Sequence, residues 1–153
     1  MDGLRAVLGG FPTGVAVVTV DGGGQPLGLT IGSLVRLALE PPLVGFAVAR
    51  EAALHELLRD DGACAVSLLA EGQDALAEHF ARGVPPIAMW TGVATEPAPG
   101  PPRLAGALGW LACSVRDEVA TGTHTFFVCE VEGAAPGGAG RALVRVRGGY
   151  TVA

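Results

Sequence analysis

The strongest constraint in this sequence is a pair of β-rich runs separated by glycine. Val15-Ala16-Val17-Val18-Thr19-Val20 is dominated by β-branched residues, which suit a buried pleated strand better than a helix. Asp21-Gly22-Gly23-Gly24 follows, and glycine supplies the positive φ angles that tight reversals need. The return run Gly28-Leu29-Thr30-Ile31-Gly32-Ser33 is β-rich again, so antiparallel pairing of residues 15–20 with 27–35 is expected. Glu40-Pro41-Pro42 then opens an apolar strand over 43–49. Two strands about a rigid Pro-Pro corner, with hydroxyls at Thr30 and Ser33 on the first, outline a candidate wall for a flat ligand.

The remaining pattern is mostly strand. Residues 2–9 read as a short helix stopped by Gly9-Gly10. Leu54, Leu57 and Leu58 fall at i, i+3 and i+4, predicting an amphipathic helix over 52–59. An apolar strand at 63–69 and a second helix from Glu71 to about Arg82 follow. Residues 83–103 form a Pro/Gly-rich loop, longer than most structureless connections and of the kind that marks a lid, a binding loop or a dimer contact. Strands are expected at 106–116, 124–132, 142–147 and 149–152, with residues 133–140 as a turn. About seven strands with helices inserted mid-chain, and no βαβ alternation, favour an antiparallel barrel over a doubly wound sheet.

At 153 residues and 50% hydrophobic content the chain is expected to form one domain with a substantial core. A net charge of −5, with ten basic residues that are all Arg and scattered, argues against nucleic acid as a partner. Cys64, Cys113 and Cys129 lie inside apolar runs at no metal-like spacing, as free buried thiols do. No charged-then-apolar leader pattern opens the chain, and no apolar run approaches a membrane span; a reducing, cytoplasmic setting is the expectation.

Phosphate-cradling, nucleophile-elbow and dinucleotide motifs are absent from the sequence. The three histidines stand far apart on different elements, which argues against a metal centre. His55 and His79, among charged neighbours on helices, read as solvated surface residues. His124 differs: Gly122 introduces it at the start of a strand, where it either meets a ligand or serves the turn. Thr30 and Ser33, three apart, face opposite sides of a regular strand, and both reach one ligand only if the chain bends near Gly32. Arg50, between a strand end and a helix start, can pair with a phosphate or with Glu51.

The order of these segments resembles the flavin reductase-like family. The resemblance is carried by Phe11-Pro12-Thr13-Gly14-Val15, the Gly28-Leu29-Thr30…Ser33 element, the Leu39-Glu40-Pro41-Pro42-Leu43 corner and Gln73…Leu76-Ala77…Phe80-Ala81. Gly122-Thr123-His124-Thr125 and the late Gly149-Tyr150 complete it. It runs from about residue 4 to 152. It implies a mainly β fold, the FMN-binding split barrel: an antiparallel, Greek-key-like barrel with two or three inserted helices. It also implies a homodimer that binds FMN or FAD, reduces it with NADH or NADPH, and supplies reduced flavin to a flavin-dependent monooxygenase.

By the same resemblance Thr30, Ile31, Gly32 and Ser33 border the flavin ring and ribityl chain, with Arg36 on the segment that follows. Val48 and Arg50 lie toward the phosphate, Phe80 borders the pocket, Tyr150 lies near the ring, and His124 stands where the nicotinamide arrives. Where the family commonly has Gly-Asp-His, this chain has Gly122-Thr123-His124. The alternative is a repurposed split barrel that binds flavin or another small metabolite without reducing flavin.

Overall fold

The computed structural model describes residues 2–138 and 140–153. In chain order the elements are α1 (Asp2–Gly9), β1 (Thr13–Gly14), β2 (Ala16–Val20), β3 (Leu27–Ile31), β4 (Val35–Leu39), β5 (Pro42–Ala49), α2 (Ala53–Asp61) and β6 (Ala63–Leu68). There follow α3 (Asp74–Ala81), α4 (Pro86–Met89), β7 (Thr95–Glu96), β8 (Arg103–Leu104), β9 (Gly109–Thr121), β10 (His124–Pro136), β11 (Leu143–Val146) and β12 (Gly149–Val152). Seven strands form one antiparallel sheet in the order β3-β2-β6-β9-β10-β5-β4; β1, β11 and β12 make a smaller sheet, and β7 pairs with β8.

One feature of this order decides the shape. The edge strands β3 and β4 are consecutive in sequence, joined only by Gly32, Ser33 and Leu34. A link of that length spans at most about 14 Å. In a flat sheet, six strand spacings would hold the edges about 29 Å apart. The sheet must therefore roll until its edges nearly meet, leaving an unpaired seam between β3 and β4. Ser33 anchors the seam: its hydroxyl accepts from the Ala47 N–H at 2.9 Å and donates to the Ala47 carbonyl at 3.3 Å.

The expected pairing of 15–20 with 27–35 is thus shortened. β2 pairs with β3 from Ala16↔Ile31 to Val20↔Leu27, and the chain bends at Gly32. Val35–Leu39 is a separate strand in hairpin with β5, so the proline corner joins β4 to β5 and not the Thr30 strand to β5. The apolar spacing at 27, 29, 31, 35, 37 and 39 is interrupted only by Ser33 and Leu34, so the sequence marks the break weakly. Further on, β10 continues to Pro136 through much of the expected 133–140 turn, and the 83–103 loop contains α4 and the β7–β8 ribbon.

The barrel interior is filled by Val18, Phe46, Val48, Val66 and Phe127, all at most 1% exposed, while Val17 faces α3 on the other side of β2. Cys64, Cys113 and Cys129 are free and buried as expected, on adjacent strands. Hydrogen bonding with Cys113 and Cys129, then burial, pushes the Cys64 thiol up. α3 closes one side, with Thr30 Oγ1 donating to the Ala77 carbonyl at 2.6 Å and the Phe80 ring seated against Gly28. A β-carbon at Gly28 would stand 2.7 Å from the Phe80 ring. No described helix is long and apolar enough to cross a membrane.

Because Phe80 is only 1% exposed and has little room to retreat, Gly28→Ala is expected to cost about 1–3 kcal/mol through overpacking. Urea unfolding should show a lower midpoint at unchanged slope. A wild-type midpoint would contradict the close seating of α3 on β3.

Candidate active site

The end of β3 meets the hairpin β11–β12 across a cavity of about 200 Å³, lined by Thr30, Ile31, Gly32, Glu78, Arg145 and Tyr150 among others. Four residues expected from the sequence are therefore brought together. Ile31 is 6% exposed and contributes mainly backbone, and the Thr30 hydroxyl proton is committed to Ala77. The Ser33 and Leu34 amides donate to no acceptor among the described residues, so free N–H groups stand beside this wall.

Arg145 and Glu78 escaped the sequence reading. The Arg145 guanidinium lies 3.3 Å from Glu78 Oε1 and 4.7 Å above the Tyr150 ring centroid. The signal for it was present: a reversal at Arg147-Gly148 places Arg145 directly opposite Tyr150 in the hairpin. Burial, then hydrogen bonding to Glu78, pushes the Tyr150 phenol up, while Arg145 opposes them.

A second cavity, of about 420 Å³, adjoins the first at Ala81, which lines both. Gly28 and Leu29 form one wall, Ala49 and Ala52 another, and Phe80 with the chain from Gly83 to Met89 the third. Together the cavities make a groove around the C-terminal end of α3. Phe80 sits in it as expected, packed against Trp90 at 5.2 Å between centroids. Val48 is 1% exposed and faces the interior, so only its backbone is available to a ligand.

His124 is exposed at the first position of β10, opposite Ala49 of β5 and therefore beside this second cavity. Its Nδ1 lies 3.0 Å from Thr123 Oγ1, so threonine supplies a hydrogen-bonding partner for the ring where the family pattern has an acid. Arg50 lines a third cavity, of about 600 Å³, with His55, Arg59, Glu118 and Thr125. Arg36 lies apart from all three, on β4 in a groove of about 680 Å³ with Leu37, Leu39 and Val131.

The two helical histidines are not solvated surface residues. His55 is 3% exposed, its Nε2 lies 2.7 Å from Thr125 Oγ1, and its Nδ1 lies 3.0 Å from Glu56 Oε1. That contact is the first cause holding the Glu56 carboxyl below its usual range. His79 is half-buried and donates from Nε2 to the Met89 carbonyl at 2.6 Å. Burial of the 54/55/58 face rather than a 54/57/58 stripe is what the leucine spacing failed to signal.

The model of the flavin reductase like domain matches residues 8–153. The chain belongs to the flavin reductase-like family. An NADH-dependent FAD reductase from Streptomyces globisporus is 41% identical over 133 residues, covering 84% of this chain and 72% of the relative. The reductase component of 4-hydroxyphenylacetate 3-monooxygenase from Thermus thermophilus is 38% identical over 149 residues, covering 97% of this chain and 94% of the relative. The solved NADH:FAD oxidoreductase of Streptomyces globisporus superposes with a TM-score of 0.91 at 37% identity, covering 97% of this chain and 90% of that one. The expected split barrel and nicotinamide:flavin oxidoreductase class are borne out.

The groove of this flavin reductase-like chain suits a flavin chemically. It offers an apolar floor for a flat ring, the backbone of Thr30 to Gly32 along one wall, and a guanidinium at Arg145. Tyr150 is the sole tyrosine, so its titration can be read without interference. Tyrosinate absorbance in the flavin-free protein should appear only above the usual phenol range. Glu78→Gln should lower that pKa and Arg145→Ala should raise it; two shifts of the same sign would contradict the arrangement.

Proposed function

We propose that this protein binds FAD or FMN in the groove around the end of α3, reduces it with NADH, and releases reduced flavin to a separate flavin-dependent monooxygenase. What carries the reading is the convergence of Thr30, Gly32, Tyr150 and Phe80 on one groove, with His124 at its side. Relatives named as NADH-dependent FAD reductase and as a monooxygenase reductase component support the chemistry and the partner. Residues 1–153 form one domain for this task, and the free thiols suit the cytoplasm, where thiols are kept reduced.

A bound nicotinamide and flavin would supply the redox chemistry themselves, so the protein needs no acid–base dyad or nucleophile. Its residues bind, orient and exclude water. Gly28, Leu29 and Phe80 give the ring an apolar floor, and the Ser33 and Leu34 amides fix its polar edge. Tyr150 and Arg145 close the opposite side, where the Arg145 guanidinium would favour an anionic bound ring. Arg50, exposed beside the start of α2, takes the phosphate end. His124 meets the carboxamide of the nicotinamide at the rim.

The protein works as a homodimer joined through the outward side of β4. Every residue of that edge strand is exposed, with Val35 42%, Leu37 45% and Leu39 90% exposed. An apolar, unpaired edge of this kind is normally covered. Arg36 belongs to this face.

Anaerobic addition of NADH to the protein with FAD should bleach the flavin absorbance, and no nicotinamide-dependent reduction of either FAD or FMN would refute the activity. His124→Ala should lower kcat/KM for NADH about tenfold, the value of one contact of about 1.4 kcal/mol, and leave flavin affinity unchanged. Light scattering should report a dimer, and Leu37→Glu should give monomers; a wild-type monomer would exclude the interface.

A further inference from the structure

We propose that His55 is a positioning residue: from inside the protein it fixes the strand start that presents His124. The proposal rests on the reading that His124 meets the nicotinamide. His124 stands at the tip of a two-residue reversal, Gly122-Thr123, where the β9–β10 hairpin is exposed. Besides the ladder to β5, two contacts hold this tip to the body. The Arg50 N–H donates to the Thr123 carbonyl at 3.0 Å. One residue beyond His124, the Thr125 side chain turns inward and its hydroxyl lies 2.7 Å from His55 Nε2.

Successive residues of a strand face opposite sides, so locking Thr125 inward sets the outward direction of His124. The lock is stiff. The His55 side chain is 4% exposed, Glu56 engages its Nδ1 at 3.0 Å, and its ring stands edge-on to Phe127 at 5.5 Å and 62°. Both ring nitrogens are therefore used, and any rotation of the imidazole would leave a buried polar atom unpaired. Thr125, 6% exposed, has the same restriction.

The test uses the full chain with His55→Leu, Thr125→Val and Thr125→Ser, each in the native and the His124→Ala background. His55→Leu and Thr125→Val should each lower kcat/KM for NADH about tenfold or more, since small misplacements of a contacting group are costly. FAD affinity, read by fluorescence, should stay within about twofold, and Thr125→Ser should retain native kinetics because it keeps the hydroxyl. In the His124→Ala background neither substitution should slow the reaction further. In flavin-free protein, Thr125→Val should shift the imidazole NMR signals of His124, which are separable among only three histidines.

Equal losses in both backgrounds, unmoved His124 signals, or a parallel fall in FAD affinity would overturn the proposal. Where His55→Leu fails to fold, Thr125→Val, which conserves side-chain shape, carries the test. Failure of the underlying reading shows separately, as native activity of His124→Ala itself, and overturns the positioning role by that arm.

Discussion

Three residues hold this architecture in shape. Gly32, Ser33 and Leu34 connect opposite edges of a seven-stranded sheet, so the sheet can exist only rolled up. Backbone geometry forces the roll, and the Ser33 hydroxyl, bonded in both directions to Ala47, fixes where the seam lies. The seam also leaves backbone unpaired by any strand, as at Ser33 and Leu34. A closed barrel would have consumed those amides in its ladder. The split leaves them without a strand partner among the described residues.

The groove follows from the same geometry. β3 is an edge strand, so a helix can lie across its outer side, and Gly28 lets Phe80 of α3 come into contact with it. The end of α3 then stands between the β11–β12 hairpin and the end of β5, and the two cavities open on either side of it. On the proposed flavin reading, structural and cofactor-facing roles overlap here. Thr30 spends its proton on the helix that forms the groove, while its neighbours Gly32 and Ser33 present the backbone. The flavin reductase-like chain needs little else, because the cofactors bring the reactive atoms.

Much of this was legible in the sequence, for identifiable reasons. β-branched residues and glycine reversals marked the strands, and the leucine spacing located α2. The wall at Thr30–Gly32 and the distant Tyr150 were named together only through the family resemblance, because no local pattern links residues 120 apart. The strand break at Gly32 was marked only by Ser33 and Leu34 falling out of the apolar alternation, too short a signal to separate two strands. His55 was misread because its flanking charges suggest solvent, whereas its burial depends on a hydroxyl 70 residues away on another strand. Arg145 was missed although its reversal was visible, because one arginine among scattered arginines carries no signal until its cross-strand partner is known.

The central claim is that the groove around the end of α3 is the flavin site, and a crystal structure with FAD bound tests it most directly. The isoalloxazine ring should lie against the Thr30–Ser33 backbone, within reach of Tyr150 and Arg145. A ring seated in the Arg50–His55 cavity or on the β4 face would contradict the account.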